Sequence, residues 1–325
     1  MSDTLTLRRY NPEDAALWNS FVAQSRNGTF LLNRGFMEYH AHLFEDHSMI
    51  IERAGKVLAL LPANLSKSFV GDKADGRQLQ SHGGLTYGGL IYGTAMSAAL
   101  MVEIIAALRQ ALRNLGVTEV LYKPVPHIFH RAASEEDLYA LLQDGARLVR
   151  SDLSSALAIG GPVAFSKSKR QGARRAEKAG LTVHRSQDFA TYWQMLTARL
   201  GEAHDAAPTH SLTEIELLKT RFDAEIQLFV AQDATDEMQG GLVVFDCGQV
   251  VHVQYMATTE AGRTNAALDL VIEHLVTEVY VDRAWLNFGI STTDAGRHLN
   301  VGLSRQKEMF GARGILFQHY IWQLT

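Results

Sequence analysis

The 325-residue chain contains a single cysteine, Cys247, so no internal disulfide can form and no Cys-rich metal spacing exists. A reducing cytoplasm is the simplest compartment for such a sequence. Long apolar runs are also missing. No stretch reaches the roughly 18 apolar residues of a membrane helix, and the opening residues MSDTLTLRRYNPED have no apolar signal core. Charge of one sign is scarce: 31 Lys and Arg stand against 35 Asp and Glu, a net of -4, which excludes a surface that coats nucleic acid or membrane throughout. The glycine-rich run SHGGLTYGGLIYG, residues 81–93, lacks the Lys-Ser/Thr that ends a phosphate-cradling loop. It reads as a bulged, tightly packed strand, with His82 or Tyr87 lining a substrate as the competing reading.

What is present is ordinary globular composition, 46% hydrophobic and 20% charged, in a length that suggests two domains. Glu13 to Ala23 and Gly35 to Phe44 read as short amphipathic helices. Ser48 to Glu52 and Val57 to Leu61 flank Ala54-Gly55 as a hairpin. Leu100, Ile104, Leu108, Leu112 and Leu115 recur at helical steps and stop at Gly116. Val117 to Tyr122 follows as a strand, a helix capped by Ser134 comes next, and Arg147 to Ile159 is extended. Gly160-Gly161-Pro162 is the best boundary in the chain, giving domains of 1–160 and 161–325.

The second half repeats that order. Strands at Ile226 to Ala231, Gly241 to Phe245 and Val250 to Met256 lead to a helix from Asn265 to Tyr280. The stretch WLNFGISTTDAGRHLNVGLSRQKEMFGARG, from Trp285 to Gly314, then supplies a strand, a polar loop and a helix, and a last strand runs from Ile315 to Leu324. The residues differ but the order is the same, so the fold class is mixed α/β, two copies of one unit. Ligands collect where buried strands of such sheets end, which places the working site near the loop at Ser291.

Several side chains could carry chemistry. In HDAAPTHS, residues 204–211, Ser211 and Glu214 form a capping box, leaving His204 and His210 as proton acceptors or as hydrogen-bonded loop residues. A metal held by His204, Asp205 and His210 is the poorest of these readings, because no further ligand spacing supports it, and no metal is expected. Lys167, Arg170, Arg174 and Lys178 form one cationic stripe of a helix, suited to phosphates or to solvent. On the strand through Tyr255, simple alternation puts His252 and Gln254 on one face and Tyr255 on the other.

The element order and the residues Asn287-Phe288-Gly289, Ser291-Thr292, Gly302-Leu303, Lys307 and Phe310-Gly311 resemble the GNAT acyltransferase fold in duplicated, FemABX-like form. Asn287 stands where that pattern commonly has an acid, and Gln306 where an aromatic precedes the lysine. The resemblance implies two tandem GNAT-like domains and an acyltransferase moving an acyl group, first of all acetyl from acyl-CoA, to an amine of a small molecule, sugar or envelope precursor. Aminoacyl-tRNA is the rival donor, and a degenerate ligand-binding protein is the non-enzymatic alternative. It further implies that the donor meets Tyr255, Met256, Ala257, Gly262, Arg263, Thr264 and Asn265, that Lys307 faces the acyl carbonyl, and that Ser291, Thr292 and Arg305 lie near the acceptor.

Overall fold

The computed structural model describes residues 4–66, 77–162, 164–204 and 207–324, with the backbone alone for 202–204. The chain divides into two compact units. One comprises Met1–Asp152, Asp294–Arg297 and Leu316–Thr325, and the other Leu153–Thr293 and His298–Ile315. The final strand of the chain thus completes the unit that begins it.

In the first unit, strands Leu5–Arg9, Met49–Arg53, Lys56–Leu61 and Ile91–Tyr92 form one antiparallel sheet in that order. The helix Ala98–Asn114 starts where the Ser97 hydroxyl accepts from the Leu100 N–H, and it ends at Gly116, whose φ of 75° a side chain would disfavour. Its Ile104, Leu108 and Leu112 pack into a core with Tyr320, Trp322 and Leu324. The strand Val117–Tyr122 pairs parallel with Arg77–Gln80 and antiparallel with residues 320–323.

Two local expectations fail here. Of residues 81–93 only Ile91–Tyr92 is a strand, the rest being turns, bends and irregular chain, and Gly88 lies so close to the Ser81 carbonyl that a Cβ would overlap it. Ser134 is not the cap of the helix Glu136–Gln143: Glu135 takes that position without a capping side chain, and the Ser134 hydroxyl donates to the Ala132 carbonyl at 2.8 Å.

The second unit is built from the last part of β1 (Arg147–Ala158), then α1 (Lys167–Lys178), β2 (Thr182–Ser186), α2 (Phe189–His204), α3 (Leu212–Arg221), β3 (Ile226–Gln232), β4 (Met238–Asp246) and β5 (Val250–Thr258). It continues through α4 (Glu260–Asn265), α5 (Ala267–His274), β6 (Trp285–Ile290), α6 (Val301–Glu308) and the start of β7 (Arg313–Gln323). The sheet runs β2-β3-β4-β5-β6-β1. The single helix expected over Asn265 to Tyr280 is instead α4 and α5, broken at Ala266 with φ 61°, followed by a wide turn over Leu275–Val279. One face of the sheet packs on α5 through Leu242, Val244, Val251, Val271 and Leu275, and α1 lies on α5 through Ala173 and Ala176. On the other face, α2 covers β5, with the Trp193 ring edge-on to Tyr255 at 5.1 Å.

Candidate functional site

Two departures from regular pairing shape the middle of this sheet. Strands β5 and β6 pair in parallel over Val250↔Trp285, Val251↔Leu286 and His252↔Asn287, and no register continues beyond that point. In β5, Val244 faces Val253 while Val243 faces Tyr255, so Gln254 is an extra residue that bends the strand. In β6, Gly289 takes φ 72° and pairing with β1 skips to Ile290↔Ser154. Both strands therefore turn away from their shared line, and among the described residues the edge of 253–258 facing β6 has no paired strand.

The same bulge corrects a reading of the sequence. Because His252 faces Phe245 and Tyr255 faces Val243, two residues apart on one strand, His252 and Tyr255 share a face. Strict alternation put them on opposite sides, and one inserted residue reverses that.

Where β5 ends there is a cavity of about 500 Å³ lined by Lys169 and Arg175 of α1, Arg199 of α2, Met256 to Thr258, Gly262 and Arg263 of α4, Asp269 of α5 and Gln306 of α6. Four cationic side chains face one carboxylate, and the Lys169 ammonium takes that carboxylate at 2.8 Å while lying 4.3 Å from the Phe310 ring centre. Burial pushes the Asp269 carboxyl up, and its bond to Lys169 opposes that. The remaining positive field is suited to an anion with several phosphate oxygens.

Of the donor residues expected from the sequence, Met256, Ala257, Gly262 and Arg263 line this cavity. Gly262 serves packing: its N–H is taken by the Thr259 hydroxyl at 3.0 Å, and a Cβ would overlap the Gln239 carbonyl. Tyr255 is buried, with its hydroxyl 2.6 Å from His210 Nδ1, and Thr264 donates to the Glu260 carbonyl at 3.2 Å inside α4. Asn265 closes α4. His210 is 5% exposed and packed between Tyr255 and Phe245, while the His204 side chain lies outside the described residues.

Lys307 is 4% exposed, and its ammonium donates to the Gly289 carbonyl at 2.9 Å, the Ile290 carbonyl at 2.8 Å and the Ser291 hydroxyl at 2.9 Å. Its three donors are engaged in clamping the turn after β6, and burial without a carboxylate brings its pKa down to about 8. Ser291 is held in that clamp, Thr292 sits in a two-residue ladder with Leu299, and Arg305 is exposed on α6. His82 and Tyr87 belong to the first unit and are both buried. The His82 ring lies 5.5 Å from His40 with its pKa pushed to about 3 by burial, and the Tyr87 hydroxyl meets Thr29 at 3.0 Å. Among the described residues no group of three His, Cys, Asp or Glu could hold a metal, and no helix is long and apolar enough to cross a membrane.

The cationic stripe Lys167, Arg170, Arg174 and Lys178 is exposed on α1, and the cavity is lined instead by the half-buried Lys169 and by Arg175, itself exposed. The available signal was the small-residue face, Gly172, Ala173 and Ala176, which must be the packed one; basic residues flanking it are the ones held near α5.

The arrangement has the FemABX-like tandem GNAT fold. No protein-family model matches the chain, and no curated protein sequence matches it either. Among solved structures it is similar to FemX, with a TM-score of 0.71 at 12% identity over 98% of this chain and 97% of that one. It is similar also to L-PGS from Bacillus licheniformis, with a TM-score of 0.60 at 14% identity over 98% and 93%. A tandem GNAT protein from the clavulanic acid biosynthesis pathway gives 0.50 at 11% identity, with 99% of each chain covered.

Proposed function

We propose that the protein transfers an acyl group from a phosphate-bearing carrier, acyl-CoA in the first place, to an amine of a small molecule, sugar or envelope precursor. The observation that carries this reading is a four-cation cavity at the end of β5 beside a strand edge left unpaired. Phosphates held by Arg175, Arg199 and Arg263 would let an amide-containing arm run back along residues 253–256, whose open edge offers backbone partners. At about 3.3 Å per residue, the distance from Met256 back to His252 is about 13 Å. The acyl carbon is thereby delivered where β5 and β6 part. Catalysis by such a site is chiefly positioning, since a well-held pair of reactants removes much of the barrier.

A second reading has its own support. The exposed stripe Lys167, Arg170, Arg174 and Lys178 lies on the helix that also sends Lys169 and Arg175 into the cavity. One helix could then track a nucleic-acid backbone and seat its terminal phosphate, which suits aminoacyl-tRNA as the donor. The test is transfer of label from radiolabelled acetyl-CoA, and separately from aminoacyl-tRNA, to a panel of amino sugars and amino acids. Label in an amide product from either donor supports acyl transfer. Binding of a donor without turnover across the panel supports a ligand-binding protein instead.

A further inference from the structure

Where β5 and β6 separate, three side chains form a chain of hydrogen bonds that the donor cavity does not use. His252 Nδ1 lies 2.8 Å from Asn287 Oδ1, and Asn287 Nδ2 donates to the Ser154 hydroxyl at 3.0 Å. The direction of this chain is fixed by a backbone group. The Gly289 N–H donates to Asn287 Oδ1 at 2.9 Å, so that atom is the carbonyl oxygen and His252 Nδ1 must carry the hydrogen it shares. The Nε2 lone pair is then unused. Among the described residues Nε2 has no hydrogen-bond partner, and His252 as a residue is half-buried.

We infer that His252 is the proton acceptor for the attacking amine and that Asn287 is the positioning residue that holds its tautomer. The inference rests on the acyl-transfer reading and adds to it a residue. In the step, the amine nitrogen bonds to the acyl carbon and the bond from that carbon to the carrier sulfur or oxygen breaks. The proton on the new C–N nitrogen passes to His252 Nε2, and the imidazolium returns it to the departing thiolate or alkoxide, leaving amide, free carrier and neutral histidine.

Three features of the fold support this assignment. His252 is the last residue of β5 paired with β6, so its ring stands at the base of the opening rather than along a closed ladder. Gly289 removes a side chain that would otherwise lie 3.6 Å from the imidazole Cε1, between its two nitrogens. The bulge at Gln254 puts His252 on the face that carries Tyr255 and is covered by α2, opposite the α5 face. Burial holds the imidazole pKa down to about 4 against the opposing bond from Asn287, with a smaller push in the same direction from the one charged group that bears on it, Lys307 of α6. Neutral imidazole, the form that accepts a proton, is therefore kept throughout the physiological range.

The experiment compares the native chain with His252→Gln, His252→Ala and Asn287→Asp. It measures transfer from acetyl-CoA and from aminoacyl-tRNA to the amine panel, with kcat and KM separated and each fold checked by circular dichroism. The expected result is a kcat at least 100-fold lower in His252→Gln with the donor KM unchanged, and partial recovery of His252→Ala by added imidazole. Asn287→Asp places a carboxylate on Nδ1–H, so the acid limb of its pH profile should move up from the native position near pH 4. His252→Gln within threefold of native kcat, or an unmoved acid limb in Asn287→Asp, overturns the inference while leaving acyl transfer standing. No transfer by the native chain from either donor overturns both.

Discussion

The two units put the same succession of hairpin, helix and strand to opposite uses. In the second, the line between β5 and β6 opens and cations gather at its end. In the first, the matching line between the segment ending at Tyr92 and the strand Val117–Tyr122 is filled. The Tyr122 hydroxyl accepts from the Leu90 N–H at 2.7 Å and donates to Asp137, which also takes the Tyr92 hydroxyl at 3.0 Å. Burial raises the Asp137 carboxyl to about 6, with both tyrosine bonds pulling the other way, and raises both phenols well above their ordinary range. A gap between diverging strands is thus a neutral feature of the fold. Aromatic hydroxyls around one carboxyl make it a core, and arginines at the end of an open edge leave it a cavity of positive field.

The largest effect expected from attacking this contrast is on the donor. Arg175→Glu combined with Arg263→Glu removes two cations from the cavity and adds two anions, and each lost charged contact is worth about 1.5–3 kcal/mol. Donor KM should rise by at least about 100-fold, measured by steady-state transfer or by titration with CoA. An unchanged KM would move the donor out of this cavity.

Asp137→Asn addresses the filled gap. The native carboxyl titrates at about 6 against 3.8 unperturbed, so its folded form prefers the proton. That preference stabilises the fold fully below about pH 4 and is lost as pH rises to about 6, a loss of up to about 3 kcal/mol. Denaturant unfolding of native and Asp137→Asn protein across pH 4 to 7 should show this slope in the former and its absence in the latter.

Gly262→Ala should destabilise by about 1–3 kcal/mol, because the new Cβ meets the Gln239 main-chain carbonyl rather than a yielding side chain. Thermal unfolding measures it, and donor binding should fall with it as α4 shifts. The smallest effect belongs to the exposed stripe. Replacing Arg170, Arg174 and Lys178 by Gln should leave transfer from acetyl-CoA within about twofold, surface charges there being solvated. A large loss confined to aminoacyl-tRNA would favour that donor.

Much of this molecule could be read from its sequence where the signal is periodic. The helix Ala98–Asn114, the strand Val117–Tyr122 and the capping box of Ser211 and Glu214 stand where spacing put them, because regular burial and local caps act within a few residues. The strand order pointed to the loop at Ser291, whereas the cavity lies at the end of β5, and its walls left less trace in the sequence. Lys169 and Arg175 were missed because the charged residues drew the eye and the small ones, Gly172, Ala173 and Ala176, decide which side packs. His252 was set apart from Tyr255 because a single inserted residue at Gln254 leaves no mark on composition or periodicity. His210, read as a proton acceptor or a hydrogen-bonded loop residue, is hydrogen-bonded to the Tyr255 hydroxyl in an aromatic cluster, and that partner, 45 residues away in the chain, left no local mark.

The wiring of the last strand bears on how the polypeptide acquires its shape during synthesis. Tyr320 to Gln323 pair with Glu119 to Tyr122, so that edge waits for a partner until nearly two hundred further residues have been translated. Meanwhile its unpaired amides and carbonyls can recruit strands from other nascent chains. The opening half therefore gains its last strand through a pairing of very long sequence separation, the kind of contact that forms late and slowly.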